Sequence, residues 1–417
     1  MEIETLLLIL AVVAGGYMAW NIGANDVANA MGTSVGSKAL TLAQAVLVAA
    51  IFEFAGAFFV GSRVTNTISK GIISLDVVAN HEMEFACGMV AALFAAAIWL
   101  NIATRLGWPV STTHSIVGAV IGFGVVLGGF FAVSWSQVGK IAMSWVVSPV
   151  VGALLAVVVY SLIVLPIYRS KTPARQLRFI VPPATGMVFF MLSLSMLYKG
   201  LKNLHLDLRA ADAIVLAAVI GTIAGGIAHM LMRRRKLSNG TTYLARFRQT
   251  EPVFAILQVI TACYMAFAHG ANDVANSIGP LAAVVSSVQT GVVGKESTVP
   301  LWVLGLGGVG IVIGLGTYGH RVIATIGKRI TSITPSRGFS AEFGAATTVL
   351  VCSKLGLPVS TTHTLVGAVV GVGLARGLRG LDLNVVRDIA VSWVATIPFT
   401  AVLTVLIYFG LLQFLPR

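Results

Sequence analysis

Hydrophobic positions along the chain gather into about twelve segments, separated by short polar stretches. A helix needs roughly 20 mainly apolar residues to cross a bilayer, and most of the segments reach that length. The pattern therefore predicts an all-α, polytopic membrane protein with about twelve transmembrane segments. The segments lie near residues 5–22, 39–61, 85–104, 109–131, 138–168, 180–198, 211–232, 252–270, 299–319, 339–353, 357–377 and 389–415.

Two of these segments, the fourth and the eleventh, are rich in Gly, Ser and Thr. Irregular backbone at membrane depth is tolerated where it is buried in protein or lines water. Residues 109–131 and 357–377 are therefore expected to be broken or re-entrant helices.

Three motifs occur twice at a nearly constant spacing. GANDVAN begins at Gly23 and again at Gly270 (270 − 23 = 247), and PVSTTH begins at Pro109 and Pro358 (358 − 109 = 249). IAMSWV from Ile141 is matched by IAVSWV 248 residues later (389 − 141 = 248). Repetition of this kind indicates a duplicated structural unit. We predict a first repeat over 1–168, a two-helix connector over 169–248 and a second repeat over 249–417.

Composition agrees with a membrane location. Hydrophobic residues make up 57% of the chain and charged residues 10%, against roughly 25% charged in an average soluble protein. A cytosolic enzyme and a disordered chain are both excluded. The 44 glycines are expected partly at helix breaks and close helix contacts.

The net charge of +13 is read as a topology signal instead of a nucleic-acid surface, because basic residues collect on the cytoplasmic side of membrane proteins. Ten basic residues flank the connector, which crosses twice, so both flanks are expected in the cytoplasm. They are Arg169, Lys171, Arg175, Arg178, Arg233, Arg234, Arg235, Lys236, Arg246 and Arg248.

Five segments per repeat then give the two repeats opposite orientations, the plan of many secondary transporters. The protein is expected to be a multi-pass plasma-membrane protein with both termini on the extracytoplasmic side. A re-entrant segment would change the number of crossings on which this orientation rests.

The first duplicated motif places Asn and Asp side chains directly after an apolar segment. Gly23 and Gly270 are expected to break the helices there and free backbone carbonyls. An ionised Asp is costly at membrane depth without a cation or a water-lined cavity. The motif predicts a cation site for Na⁺, a proton or a divalent ion; its alternative is a helix cap or interhelical glue. The candidate residues are Asn25, Asp26, Asn29, Asn272, Asp273 and Asn276.

The second duplicated motif has the pattern of a helix start, with Pro favouring an extended entry and Ser or Thr acting as the cap. Free N–H groups at the positive end of a helix dipole, together with hydroxyls, suit a tetrahedral oxyanion. Ordinary Ser/Thr interhelical glue is the alternative. The candidate anion-binding residues are Ser111, Thr112, Thr113, Ser360, Thr361 and Thr362, with Asn25, Asn272 and, more weakly, Gln44 as additions.

Neither motif contains Lys or Arg, so the charge of a bound anion has to be balanced by co-transported cations. In low dielectric each ion strengthens the binding of the other, which favours symport over a passive pore. A hydrolase built from Ser111 and His114, or from Ser360 and His363, is disfavoured, because side chains three apart on one helix rarely meet productively.

Two further acids stand inside apolar segments. Glu53 aligns with Ile311 in the other repeat, and Glu342 aligns with Leu93. An intramembrane acid is by default a functional candidate. Glu53 and Glu342 are therefore predicted either to hold a further cation or to gate one side, with a structural hydrogen-bonding role as the alternative.

The paired GANDVAN and PVSTTH motifs resemble those of the inorganic phosphate transporter (PiT) family, over nearly the whole chain. The resemblance implies a homodimeric, inverted-repeat permease that moves inorganic phosphate together with Na⁺ or protons and needs no cofactor besides the co-transported ion. The run from Gly23 to Ser37, with Ile51-Phe52-Glu53 beyond it, is more similar to the sodium-coupled branch. Proton-coupled phosphate transport and sulfate transport remain the alternatives.

Overall fold

The computed structural model describes residues 3–78, 81–106, 108, 110–198, 208–237, 242–290, 299–319, 323, 333–375 and 383–413. Within these ranges the chain forms helices and no β-strand beyond a single bridge between Ile73 and Val133. The side chains of Asn29, Trp393 and residues 383–390 lie outside the described set, as does the whole of Pro109.

Before the connector, the described residues form eight α-helices. They are α1 (Ile3–Gly36), α2 (Leu42–Val60), α3 (Ser62–Lys70), α4 (Leu75–Val78), α5 (Glu82–Leu106), α6 (Thr112–Gly128), α7 (Trp135–Val159) and α8 (Leu165–Arg169). A π-helical turn over Tyr160–Val164 joins α7 to α8, so these two run as one continuous span.

The described residues of the connector and of the remaining chain form seven more named helices. These are α9 (Pro173–Leu197), α10 (Ala210–Arg234), α11 (Tyr243–Thr290), α12 (Leu301–Gly314), α13 (Pro335–Lys354), α14 (Thr361–Ala375) and α15 (Leu383–Leu412). Another π-helical turn, Leu315–Gly319, extends α12.

Each of the twelve predicted apolar segments coincides with a helix, which confirms the all-helical membrane fold. In the described chain, nine helices are long and apolar enough to cross a bilayer. The Gly/Ser/Thr-rich segments form the shorter helices Thr112–Gly128 and Thr361–Ala375, of 17 and 15 residues. The number of full crossings stays a prediction.

The predicted helix breaks at the first motif are wrong. Helix α1 continues through Gly23 for 34 residues, and α11 continues through Gly270 for 48. The two glycines serve close packing instead of a break. A Cβ on Gly23 would lie 1.9 Å from the Ile311 carbonyl oxygen, and one on Gly270 would lie 2.2 Å from the Glu53 carbonyl oxygen.

These crossings come as equivalent pairs that join the two halves. Helix α1 packs on α12 and α2 packs on α11. A Cβ on Gly56 would lie 2.1 Å from the Phe267 carbonyl oxygen, and one on Gly314 would lie 1.9 Å from that of Trp20. Missing side chains thus let long helices from opposite halves touch backbone to backbone, next to the polar motifs.

The connector is a hairpin attached to the outside of this bundle. Helices α9 and α10 pack closely through Gly186 and Gly221, since a Cβ on Gly186 would lie 2.8 Å from the Gly221 carbonyl oxygen. Helix α9 also packs on α11 and α13. Most of α10 is exposed, including Val215 and Ile223, as expected of a helix that faces lipid.

Candidate functional site

The two short helices α6 and α14 begin with the same cap, as the sequence predicts. Ser111 is extended (φ −92°, ψ 126°), and its hydroxyl oxygen accepts a hydrogen bond from the His114 N–H at 3.3 Å. Ser360 accepts from the His363 N–H at 3.3 Å in the same way. Each helix start therefore presents first-turn N–H groups that have no acceptor within their own helix.

The aspartate of each first motif is bound by the second motif of the same half. Thr112 Oγ1 donates to Asp26 Oδ2 at 2.7 Å, and Thr361 Oγ1 donates to Asp273 Oδ2 at 2.8 Å. Both carboxylates are buried. The predicted cation and anion motifs therefore meet through equivalent contacts in each half.

The two halves meet at the same place. Asn276, on α11, donates from Nδ2 to Thr112 Oγ1 at 3.1 Å and to Thr113 Oγ1 at 3.2 Å. Thr113 Oγ1 in turn donates to the Val359 carbonyl at 3.1 Å. A residue of the second GANDVAN motif thus contacts the first PVSTTH motif. The side chain of its counterpart Asn29 lies outside the described residues.

The asparagine before each aspartate bonds to the end of the long helix that leads into a short helix. Asn25 donates to Thr104 Oγ1 at the end of α5. The Asn272 amide contacts Ser353 Oγ at 2.9 Å at the end of α13. Turned so that Nδ2 faces α14, the Asn272 amide also donates to Val359 O at 2.9 Å and Asp273 Oδ1 at 3.1 Å. Each asparagine thereby fixes the segment that leads into a short helix.

A histidine that sequence reasoning missed completes the cluster. His269 Nδ1 lies 2.8 Å from Glu53 Oε2, and His269 Nε2 lies 2.8 Å from Asp273 Oδ2. Ligand atoms of Asp26, His269 and Asp273 lie within 4.8 Å of one another. The acids of the two halves are therefore neighbours, and Glu53 joins them through the imidazole.

The sequence does contain a signal for His269. The histidine precedes Gly270 by one residue, and the equivalent position in the first half is Ile22 (269 − 247 = 22). Glu53 likewise aligns with Ile311. The acid and its basic partner are thus both replaced by isoleucine in the other half, in agreement with their contact.

Glu342 lies in a separate polar cluster between the end of α1, α11 and α13. Its carboxylate is fully buried and accepts four hydrogen bonds from side chains. The donors and distances are Ser34 Oγ at 2.6 Å, Thr33 Oγ1 at 2.7 Å, Thr261 Oγ1 at 2.7 Å and Gln258 Nε2 at 3.0 Å.

Gln44 is not brought to either cluster. It is exposed at the start of α2, where its Oε1 accepts from the Thr41 N–H at 2.9 Å. Thr41 Oγ1 accepts from the Gln44 N–H at 3.3 Å, which closes a capping box. Its assignment to phosphate was therefore wrong, since its side chain caps a helix.

The arrangement combines carboxylate and hydroxyl oxygens, the preferred ligands of hard cations, with two helix N-termini that suit an anion. Buried Ser360, Thr361 and Thr362 line the start of α14, as Ser111, Thr112 and Thr113 line that of α6. Among the described residues that contact the two Asp–Thr pairs, His269 is the one with a basic side chain, and it lies against Asp273. Cations and an anion can thus be held side by side.

Comparison with known proteins agrees with this chemistry. The phosphate transporter family model matches residues 22–404. A putative phosphate permease of Thermococcus kodakarensis is 44% identical over 401 residues, covering 96% of this chain and 97% of the permease. The chloroplastic inorganic phosphate transporter 2-1 of Arabidopsis thaliana is 47% identical over 413 residues, covering 94% of this chain and 70% of the plant protein.

A solved structure described as a sodium-dependent phosphate transporter superposes with a TM-score of 0.91 at 41% identity, covering 98% of this chain and 100% of that one. The duplicated motifs, the helical bundle and these matches agree with one another and indicate a transporter, not an enzyme. The chain belongs to the phosphate transporter family.

Proposed function

We propose that the protein is a secondary active symporter that moves inorganic phosphate into the cell together with Na⁺. The observation that carries the proposal is the pair of equivalent Asp–Thr contacts, which join a cation motif to an anion motif in each half. The family membership and the sodium dependence stated for the structural neighbour support the same assignment.

Phosphate is placed between the starts of α6 and α14. First-turn N–H groups and the hydroxyls of Ser111, Thr113, Ser360 and Thr362 supply donors, while the helix dipoles favour negative charge. Asn25 on α1 and Asn272 on α11 support the site by bonding Thr104 and Ser353 at the ends of α5 and α13. We assign these asparagines to positioning the phosphate-binding segments as much as to direct contact.

Thr112 and Thr361 connect the two kinds of ion. In this structure each hydroxyl directs its proton to an aspartate. Once a cation occupies the aspartates, the hydroxyl oxygen can coordinate that cation and turn its proton towards phosphate. One side chain thereby responds to both ions, which is a direct route to coupled binding.

Charge balance explains why cations must come first. Two buried carboxylates and an anion repel one another, and opposite charges about 4 Å apart attract by roughly 4 kcal/mol at an effective dielectric of 20. Na⁺ at Asp26 and Asp273, with Asn29 and Asn276 nearby in sequence, would turn a repulsive site into an attractive one. We assign Glu53, through His269, to the same cation region.

Glu342 is proposed as a further cation position, separate from the central cluster. Its four side-chain donors include three hydroxyls that can reverse their role and offer oxygen to Na⁺. The Gln258 amide oxygen is the remaining hard ligand at that position.

Transport is proposed to follow alternating access between inverted repeats over 1–168 and 249–417, with the connector over 169–248. The paired crossings of α1 with α12 and of α2 with α11 support a two-fold arrangement around the central cluster. We further propose a plasma-membrane homodimer with both termini extracytoplasmic.

Uptake of radiolabelled phosphate into proteoliposomes tests the assignment. Na⁺ and pH gradients are imposed separately, and sulfate is added as a competitor. We expect accumulation against a phosphate gradient only when Na⁺ is higher outside. Uptake driven by pH alone would establish the proton-coupled alternative, and strong inhibition by sulfate would establish the sulfate alternative. Flux that never exceeds equilibrium would indicate a passive pore.

A further inference from the structure

A long groove runs between the connector hairpin and the second half, and none of the residues that line it belongs to the duplicated motifs. Helices α9, α10 and α11 line it, and its volume is about 730 Å³. Its walls are apolar, with Val181 on α9, Ile223 and Ile227 on α10, and Leu257 on α11 among them. Helix α10 packs mainly on α9, so the groove separates α10 from α11.

One end of the groove is basic. Arg234 and Arg235 belong to its lining, and Arg178 Nη2 donates to the Arg235 carbonyl oxygen at 3.5 Å. Three guanidinium groups therefore lie at the same end of the hairpin. In the described part of the chain, neither Arg234 nor Arg235 forms an ion pair with a carboxylate.

The geometry fixes how deep the groove reaches from this basic end. Its lining on α10 extends from Arg234 back to Ile220, which spans about 21 Å at the helical rise of 1.5 Å per residue. Half of a typical hydrocarbon core is about 15 Å. An extended acyl chain of one leaflet therefore fits along the groove.

We propose that this groove is a binding site for an anionic phospholipid. The phosphate group lies at Arg234 and Arg235, with Arg178 beside them, and one acyl chain fills the space between α10 and α11. The basic end, by the positive-inside rule, faces the leaflet in which anionic lipids attract juxtamembrane basic residues.

Charge complementarity favours this occupant over a second copy of the chain. A protein surface filling the groove would have to bring acidic groups to the arginines, yet the chain carries only 15 acidic residues against 28 basic ones. A phospholipid supplies the negative charge and the apolar tail in one molecule. It would then hold the exposed α10 against α11.

Native mass spectrometry of the purified full chain, titrated with phosphatidylglycerol or phosphatidylcholine, tests the proposal. Wild type is expected to prefer phosphatidylglycerol. Replacing both arginines, Arg234→Gln with Arg235→Gln, is expected to weaken its binding by about tenfold or more. Arg233→Gln is the matched control, because Arg233 is an exposed neighbour outside the groove lining, and it is expected to leave binding unchanged.

A second pair of variants tests the apolar part without altering charge. Ala224→Phe narrows the groove and is expected to reduce lipid binding, whereas Val219→Phe, exposed on the same helix outside the lining, is not. Equal binding of both lipids, or an equal loss with Arg233→Gln, would overturn the proposal. Displacement of the lipid by millimolar inorganic phosphate would instead identify a free-anion site. Loss of dimers in Ala224→Phe with lipid binding intact would identify a second copy as the occupant.

Discussion

Thr112 Oγ1 donates a hydrogen bond of 2.7 Å to Asp26 Oδ2. The acid of the first motif is thereby held by the hydroxyl that starts the second motif's helix, although 86 residues separate them in the chain. Thr361 and Asp273 repeat the contact at 2.8 Å. The hydroxyl is the element that the proposed cation and anion sites share, and it can be removed with little change of shape.

Thr112→Val is expected to reduce Na⁺-driven phosphate uptake by about tenfold or more, the scale of a lost hydrogen bond to a charged group. Valine keeps the branched shape but removes the donor. Thr112→Ser keeps the hydroxyl and is expected to remain close to wild type. The measurement is initial uptake as a function of Na⁺ concentration. Similar defects in the Val and Ser variants would show that shape, not the hydroxyl, matters at this position.

Asp26→Asn and Asp273→Asn are each expected to abolish Na⁺-driven uptake while leaving the protein folded. Each change removes one negative charge from the pair that is proposed to hold Na⁺, and both positions are buried. Asp212→Asn serves as the control, since Asp212 is exposed on α10 and pairs with Arg209 at 3.2 Å. Melting temperature and size-exclusion profiles verify folding. Wild-type-like Na⁺-dependent uptake in both site variants would overturn the cation assignment.

Glu53 and His269 are expected to act as one unit. Because the imidazole joins Glu53 to Asp273 at 2.8 Å on each side, Glu53→Gln and His269→Gln should impair uptake to similar extents. The double variant should be no worse than the more impaired single variant, since groups in one network of hydrogen bonds and ion pairs couple by about 0.5–3 kcal/mol.

The control for this cycle combines Glu53→Gln with Glu342→Gln. Glu342 has its own four donors in a separate cluster, so these two effects on the rate should multiply. Independent effects of the Glu53 and His269 variants would contradict the proposal that the two residues act as one unit, even if each variant alone were strongly impaired.

Gly23→Ala and Gly270→Ala are expected to destabilise the protein strongly. The added methyl groups would lie 1.9 Å and 2.2 Å from the Ile311 and Glu53 carbonyl oxygens, and overpacking typically costs about 1–3 kcal/mol or more. Gly16→Ala is the matched control on α1, because nothing lies within 4 Å of its new methyl group.

Alanine in place of an unconstrained helical glycine should stabilise by about 0.5–1 kcal/mol. We therefore expect the melting temperature in one detergent to fall for Gly23→Ala and Gly270→Ala and to hold or rise for Gly16→Ala. If Gly23→Ala melts at the wild-type temperature, α1 and α12 do not approach each other closely enough for the added methyl group to meet the Ile311 carbonyl oxygen.

Much of the fold and part of the site could be predicted from the sequence. Apolar segments locate helices because lipid requires every backbone group to be bonded within the span, and each of the twelve segments does contain a helix. The Ser111 cap followed from local rules as well, since a cap involves only a few consecutive residues. His269 was missed because its partner Glu53 lies 216 residues away in the chain, although Asp273 is its neighbour one turn along α11.

For Gln44 and the glycines of the first motif, the sequence pattern suggested a role that the structure contradicts. Gln44 is a polar residue near the start of an apolar segment, a pattern shared by ligands and by helix caps. Its spacing from Thr41 is that of a capping box, and the Thr41 contacts show that it is one. A glycine can either break a helix or allow a second helix to pack closely against it. The Ile311 backbone lies directly against Gly23, which shows that this glycine serves close packing.

The sequence by itself determined the membrane class, the duplication and the residue types of the two duplicated polar motifs, because each of these is encoded in local pattern and repetition. The tertiary structure alone decided which residues meet: Asp26 with Thr112, Asn276 with the opposite half, and His269 between two acids. Such contacts depend on how closely helices distant in the chain approach. In this protein the helices approach each other closely where glycines face the backbone of another helix. A local sequence pattern does not reveal which backbone atoms those are.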